Sequence, residues 1–247
     1  ILFSPHKFLG GPGSSGVLVF DRSMYNSRTP DQPGGGTADW TNPWGEYKYV
    51  DDIELREDGG TPGFMQCVRT ALCIEIKEKM GVKNIAQREE QLLEKAFAGL
   101  DKIPSIKILA NNQRKRRGVI SFYYDDIHFN LAVKLLSDRY GIQVRGGCAC
   151  AGTYGHYLLD VSHEHSKSIT DLINHGDLSQ KPGWIRLSLH PTMTDQELDF
   201  ILNALEEISI HHKQWEKDYI YNKHTNEFKH FSDNCQIADR VNEWFRM

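Results

Sequence analysis

Two short stretches of the 247-residue chain hold side chains capable of covalent chemistry. In Ser4-Pro5-His6-Lys7 an amine follows a hydroxyl and an imidazole, on a loop that leaves the apolar Ile1-Leu2-Phe3. Such a lysine could hold a carbonyl cofactor as an imine while its neighbours bind phosphate. The chemistry needs a neutral amine, which burial or nearby cations produce. Taken alone, the tetrapeptide reads first as a solvated turn. In Val144-Arg145-Gly146-Gly147-Cys148-Ala149-Cys150-Ala151-Gly152, two cysteines lie among small residues after a predicted strand. That describes a mobile, exposed loop where a thiol can reach a substrate, with an arginine to favour the thiolate. A pair of buried structural cysteines fits the same letters equally well. A zinc site fits less well, because Cys-x-Cys has no matching second pair and His163 with His165 is a weak supplement.

Two further features suit anions. Gly59-Gly60-Thr61-Pro62 places small residues and a hydroxyl where a helix should start, so its free amides could meet a phosphate, although by itself the pattern reads first as an ordinary cap. In Trp184-Ile185-Arg186-Leu187-Ser188-Leu189, one arginine stands in an otherwise apolar strand and needs an acidic partner, either a substrate carboxylate or a structural ion pair. Arg114-Lys115-Arg116-Arg117, between two predicted strands, reads as a solvated hairpin tip.

The elements that must position these residues follow from periodicity. Val17–Phe20 reads as a buried strand, and residues 21–60, broken by Pro30, Pro33, Gly34-Gly35-Gly36 and Pro43, read as mostly irregular. A helix is expected from Thr61-Pro62 to Gly81, with Phe64, Met65, Val68, Ala71, Leu72 and Ile76 at helical spacing. Asn84 with Gln87 suggests a capping box opening a second helix, whose inner stripe is Leu92, Leu93, Ala96, Phe97 and Leu100. Strands at Ile106–Ala110, Gly118–Tyr123, Ile142–Arg145 and Trp184–Leu189 alternate with a helix at His128–Tyr140. Thr194 with Glu197 opens a last helix turning Leu198, Ile201, Leu202, Leu205 and Ile208 inward. The alternation predicts an α/β architecture. Residues 211–247 yield no assignment.

Composition narrows the function classes. With 29 basic and 33 acidic side chains the net charge is −4, which argues against a general nucleic-acid surface. At 39% hydrophobic and 25% charged, the chain has enough apolar material for a core and too little net charge for disorder. Its apolar runs are far shorter than the roughly 20 residues of a membrane span. Five cysteines, odd in number and sparse, argue against a disulfide framework and for a reducing, cytoplasmic compartment. The start at Ile1, at what reads as the end of a strand, suggests part of a longer polypeptide.

Taken together and in this order, these segments resemble the class V branch of fold-type I pyridoxal-phosphate enzymes, above all the cysteine desulfurase and selenocysteine lyase group. The resemblance covers about residues 1–210. It implies an α/β fold comprising a remnant of the cofactor-binding large domain (1–82), a small α/β domain (83–210) and a tail (211–247). By the same resemblance Lys7 holds pyridoxal 5'-phosphate, Ser4 and His6 bind its phosphate, and Gly35, Gly36 and Thr61 reach the cofactor of a neighbouring subunit in a homodimer. The Arg-x-Gly-x-x-Cys pattern falls on Arg145, Gly147 and Cys150, making Cys150 the sulfur acceptor. The Arg-x-Ser strand makes Arg186 the carboxylate clamp, with Arg145 beside the substrate. The implied activity is release of sulfur from cysteine as a Cys150 persulfide, handed on to an acceptor protein. An aminotransferase acting on another amino acid, or a catalytically inactive fragment serving dimerisation, are the alternatives. Cys148 stands where better-known desulfurases have histidine, and 160–183 resembles an insert.

Overall fold

A computed structural model describes residues 1–148, 150–233 and 237–246. The chain divides into two compact units, Ile1–Asn84 and Ile85–Met247.

The first unit contains two small hairpins and two helices. Strands β1 (Leu2–Phe3) and β2 (Val17–Leu18) pair antiparallel, and β3 (Ala38–Thr41) pairs with β4 (Tyr47–Tyr49). Helix α1 (Ile53–Glu57) precedes α2 (Phe64–Met80), which stops at Gly81, where φ is +81°. The expected start of α2 at Thr61 moves to Phe64, with Gly63 at the boundary and no side-chain cap. Glycine gains least from helical geometry, so the helix begins after it. The apolar row of α2 is exposed within this unit: Phe64 is 67% and Met65 76% accessible, and the helix buries only Cys73. Residues 21–60, expected to be irregular, contain the β3–β4 hairpin. Its turn is built on Asn42, whose side-chain oxygen accepts the amides of Trp44 at 3.1 Å and Glu46 at 3.0 Å.

The second unit is an α/β layer. Helix α3 (Val82–Leu100) leads to strands β5 (Ile106–Ile108) and β6 (Val119–Tyr124), then α4 (Phe129–Tyr140), β7 (Arg145–Gly147), α5 (Gly152–Leu158), α6 (His163–Asn174), β8 (Trp184–Ser188) and α7 (Asp195–Trp215). A hairpin of β9 (Tyr219–Asn222) and β10 (Glu227–His230) and a short α8 (Ile237–Trp244) complete it. The sheet order is β5-β6-β8-β7, all antiparallel. Ile120, Phe122, Tyr124, Ile185 and Leu187 form its buried face. They join the predicted stripe of α3 and Leu198, Ile201, Leu205 and Ile208 of α7 in one core. The capping box at Thr194 and Glu197 is present, whereas Asn84 makes none: α3 begins at Val82 and the Asn84 amide instead bonds Met80 O at 3.0 Å.

The strand expected at Ile142–Arg145 begins three residues later. Gly141, in the left-handed region at φ +67°, closes α4, and the amide of Ile142 returns to Leu136 O at 3.0 Å. Ile142 is thus consumed by a Schellman-type helix ending, and pairing starts at Arg145.

The β9–β10 hairpin, in a stretch unassigned from sequence, is built into this unit. His128 caps α4 by accepting the Asn130 amide on Nδ1 at 3.1 Å, and its ring contacts those of Phe129, Tyr221 and Phe228. Burial holds this imidazole below the usual histidine range. A protonated ring would also lose the Nδ1 lone pair that accepts the cap. Above the unfolded value of about 6.5 both states are neutral; below it the unfolded chain binds the extra proton first, so stability is lost as pH falls. Urea titrations between about pH 7 and pH 5 should show this decline, and His128→Asn, which caps without titrating, should flatten it; an identical slope in the variant would refute the assignment.

Candidate functional site

The register of the sheet brings two of the candidate arginines together. Arg145 of β7 and Ser121 of β6 lie directly opposite Arg186 of β8, one from each side. Residues opposite one another on neighbouring strands point to the same face, so Ser121, Arg186 and Arg145 form a polar row across the face away from the apolar core. Two guanidinium groups placed opposite each other repel, and the arrangement calls for an anion between or beside them. Arg186 is half-buried; its Nε and the Nε1 of Trp184 are buried donors without an acceptor among the described residues. Both belong to the same face of β8, since strand side chains alternate. Two unsatisfied donors beside a paired cation suit a carboxylate.

A cleft of about 990 Å³ opens at this end of the sheet. Arg145, Arg186, Ser188, Tyr140, His190 and Glu197 are among its lining residues. Burial, followed by the hydrogen bond it donates to Glu207, pushes the Tyr140 phenol up to about 12. Trp184, two residues before Arg186 on β8 and opposite Gly147, is covered by α5: a Cβ on Gly155 would stand 3.1 Å from its ring.

The two cysteines follow β7 directly. Cys148 is half-buried and donates from Sγ to Pro182 O at 3.0 Å. Cys150 is exposed, and its sulfur accepts from Arg145 Nη2 at 3.1 Å. It holds φ at +63°, which is uncommon for a residue other than glycine. One guanidinium therefore stands opposite Arg186 and also donates a hydrogen bond to an exposed sulfur.

The amine candidate belongs to the first unit. Pro5–Lys7 forms one 3-10 turn, with the Lys7 amide on Ser4 O at 3.1 Å. Pro5 is buried, and its carbonyl accepts from Cys73 Sγ at 3.9 Å. Gly11 closes the underside so tightly that a Cβ there would fall 1.8 Å from Pro5 O. The turn thus presents Lys7 and His6, both exposed, and Ser4, half-buried. The Lys7 amine, the His6 ring and the Ser4 hydroxyl have no hydrogen-bond or ion-pair partner among the described residues. Residues 1–84 do not themselves supply the burial expected around the amine. As a donor set the three still fit a phosphorylated aldehyde: an amine to hold the carbonyl, a hydroxyl and an imidazole to meet the phosphate.

The glycine segments also meet. The Gly60 amide donates to Gly35 O at 2.9 Å, and Gly34 lies against Gly59. Buried Thr37 braces the turn, its hydroxyl donating to Gly34 O at 2.7 Å. Gly35, Gly36 and Thr61 are exposed on this surface, and no side chain would obstruct a Cβ at Gly35 or Gly36. Sequence reasoning missed Trp184, Ser121 and Tyr140. Alternation along Trp184–Leu189 already put the indole on the face of Arg186, whereas Ser121 and Tyr140 required the register.

Residues 1–201 match the family model for aminotransferase class-V. The chain belongs to that family. A probable cysteine desulfurase of Staphylococcus epidermidis is 32% identical over 149 residues, covering 60% of this chain and 35% of the relative. One from Pyrococcus abyssi is 31% identical over 218 residues, covering 84% of this chain and 46% of the relative. The apo structure of a cysteine desulfurase from Thermococcus onnurineus NA1 superposes with a TM-score of 0.66 at 25% identity, over 85% of this chain and 46% of that one. A cysteine desulfurase from Escherichia coli, at 18% identity and a TM-score of 0.54 over 74% of this chain and 39% of that one, shares the fold. The chain spans less than half the length of these relatives, and its mixed α/β fold is that of fold-type I enzymes.

The Arg145–Cys150 contact has a direct consequence. Replacing Arg145 with alanine should slow alkylation of Cys150 by iodoacetamide several-fold at neutral pH, read by peptide mass spectrometry; an unchanged rate would show that the guanidinium does not act on the sulfur.

Proposed function

We propose that the protein uses pyridoxal 5'-phosphate to release sulfur from cysteine, with Cys150 as the first acceptor. The observation that carries this reading is the coincidence of an exposed, arginine-bonded thiol with a cross-strand arginine pair: Arg145 Nη2 stands 3.1 Å from Cys150 Sγ and Arg145 is directly opposite Arg186. A simple aminotransferase needs the carboxylate site but has no use for the thiol. The family and the desulfurase relatives support the same reading.

Lys7 would hold the cofactor, with Ser4 and His6 at its phosphate and Gly35, Gly36 and Thr61 on a surface offered to the site of a second copy. When bound, pyridoxal phosphate supplies an electron sink for the pair left at a substrate's α-carbon. Within the protein, Arg186 takes the substrate carboxylate with its unsatisfied Nε and paired guanidinium, and Arg145 adds positive charge on the side of the thiol. The Lys7 amine takes the α-proton and later returns a proton to carbon. Cys150 sulfur attacks the substrate sulfur: an S–S bond forms, the C–S bond breaks with its electron pair going to carbon, and protonation there leaves alanine and a persulfide on Cys150.

A homodimer belongs to the same reading, with the exposed Gly35, Gly36 and Thr61 reaching the cofactor held by a second copy. A sulfur-acceptor protein would meet the exposed Cys150. Among the described residues no helix is long and apolar enough to cross a membrane; free-thiol chemistry supports a reducing compartment such as the cytoplasm.

In the full-length protein, Cys150→Ala should lower sulfide and alanine release from cysteine by roughly a thousandfold or more while the visible absorbance gained on adding pyridoxal phosphate persists. Lys7→Ala should remove that absorbance. Undiminished sulfide release by the first variant would refute the acceptor role, and an unaltered spectrum in the second would refute the lysine assignment.

A further inference from the structure

Two thiols share one tight turn. The Ala151 amide donates to Cys148 O at 2.8 Å, folding the chain back within four residues, and Cys150 takes the left-handed position in the turn at φ +63°. Two residues apart, Cα atoms are separated by at most about 7 Å when fully extended, and a turn shortens that. A disulfide spans about 4.4–6.8 Å between Cα atoms, so the backbone already lies within bridging range. The sulfurs are engaged separately: Cys148 Sγ with Pro182 O at 3.0 Å, and Cys150 Sγ with Arg145 Nη2 at 3.1 Å. Each thiol thus has a single hydrogen bond holding it from the other, and bridging would break both.

Resting on the reading of Cys150 as a sulfur acceptor, we propose that Cys148 is a resolving thiol that discharges the Cys150 persulfide as hydrogen sulfide. Cys148 sulfur attacks the inner sulfur of the persulfide. A Cys148–Cys150 bond forms, the bond between Cys150 and the outer sulfur breaks, and the outer sulfur leaves with the electron pair as hydrosulfide, taking up the proton released by Cys148. The products are one disulfide and one hydrogen sulfide; a low-molecular-weight thiol reductant, oxidised to its own disulfide, restores both cysteines. The half-buried position of Cys148 suits this order of events: the exposed Cys150 meets the substrate and the shielded thiol acts second. The site then releases free sulfide as well as offering sulfur to a protein, and the state of the pair would govern which of the two occurs.

The test uses full-length protein with Cys67→Ser and Cys235→Ser, and needs no bound cofactor. Oxidised glutathione should convert the unsubstituted Cys148–Cys150 pair to a product that has lost two hydrogens and carries no glutathione, whereas Cys148→Ser, which keeps a donor for Pro182 O, should retain one glutathionyl group on Cys150. A stable glutathione adduct on the intact pair would overturn the proposal. In separate, reduced samples inorganic polysulfide should load Cys150: Cys148→Ser should retain the added sulfur, and the intact pair should release it as sulfide at least tenfold faster. A persulfide equally stable in both proteins would overturn the resolving role alone. Failure of sulfur to load on Cys150 in the Cys148→Ser protein, with the disulfide of the intact pair still forming under glutathione, would overturn the acceptor reading and the resolving role with it.

Discussion

The pairing of β8 with its two neighbours is the constraint on which the candidate site depends. Its apolar residues, Ile185 and Leu187, stand opposite Gly146 of β7 and Ile120 of β6, and Phe122 opposes Ile185 from the other side. A slip of one residue would send every side chain to the opposite face. The two apolar groups that β8 contributes to the core, Ile185 and Leu187, would lose burial worth roughly 2 kcal/mol apiece, on the order of 4 kcal/mol, a large fraction of the net stability of a whole domain. Repulsion between two exposed or half-exposed arginines is far smaller, about 1 kcal/mol or less. The core therefore fixes the register, and the register forces Arg145 against Arg186 whatever the local electrostatic cost. An anionic ligand turns that cost into affinity.

The same pairing determines where the thiols fall. Because Gly141 and Ile142 are used to end α4, β7 is only three residues long, and Cys148 follows its last residue, Gly147, at once. A Cβ on Gly146 would stand 3.0 Å from Val133 and 3.1 Å from the Asn130 side chain, so the strand passes close over α4 where glycine alone is comfortable. The glycines of this segment thus serve packing as well as freedom of the loop, and the arginine at the start of the strand reaches the cysteine at the end of the turn.

Much of this was legible in the letters. The stripe Leu92 to Leu100, the capping box at Thr194 and Glu197, and the inward row of α7 are local patterns with a single reading, and each is found in place. The resemblance carried by Ser4 to Lys7, Arg145 to Cys150 and Arg186 to Ser188 led to the family that the match over residues 1–201 shows. What stayed hidden depends on distant partners. Residues 21–60 look irregular because their order comes from Arg56, whose guanidinium donates to Val50 O at 2.7 Å and Ser27 O at 3.3 Å, and from Glu57, which accepts the Asp31 amide at 3.0 Å and the Tyr25 hydroxyl. The hairpin beyond residue 218 looked placeless because its partner, His128, lies some ninety positions earlier and reads as a mere helix opening. The start of α2 was misplaced for a local reason, the extra glycine after Thr61-Pro62.

The amine and the thiol are held in physically different ways, and the difference matches the tasks proposed for them. Lys7 rides on a turn that is wedged from below: buried Pro5, the Cys73 sulfur and a glycine that tolerates no Cβ leave its backbone little alternative. A group that takes a proton from one face of a carbon and returns one to it must keep its origin fixed, since reactive geometry is lost over fractions of an ångström. Cys150 rests on a turn with a left-handed non-glycine residue and one hydrogen bond to its sulfur, so its position is cheap to leave. A carrier that accepts sulfur in one place and surrenders it in another needs that lower barrier. The sequence achieves the first with Pro5 and Gly11 flanking a lysine, and the second by setting two cysteines in a turn at the end of a strand whose register the core has already decided.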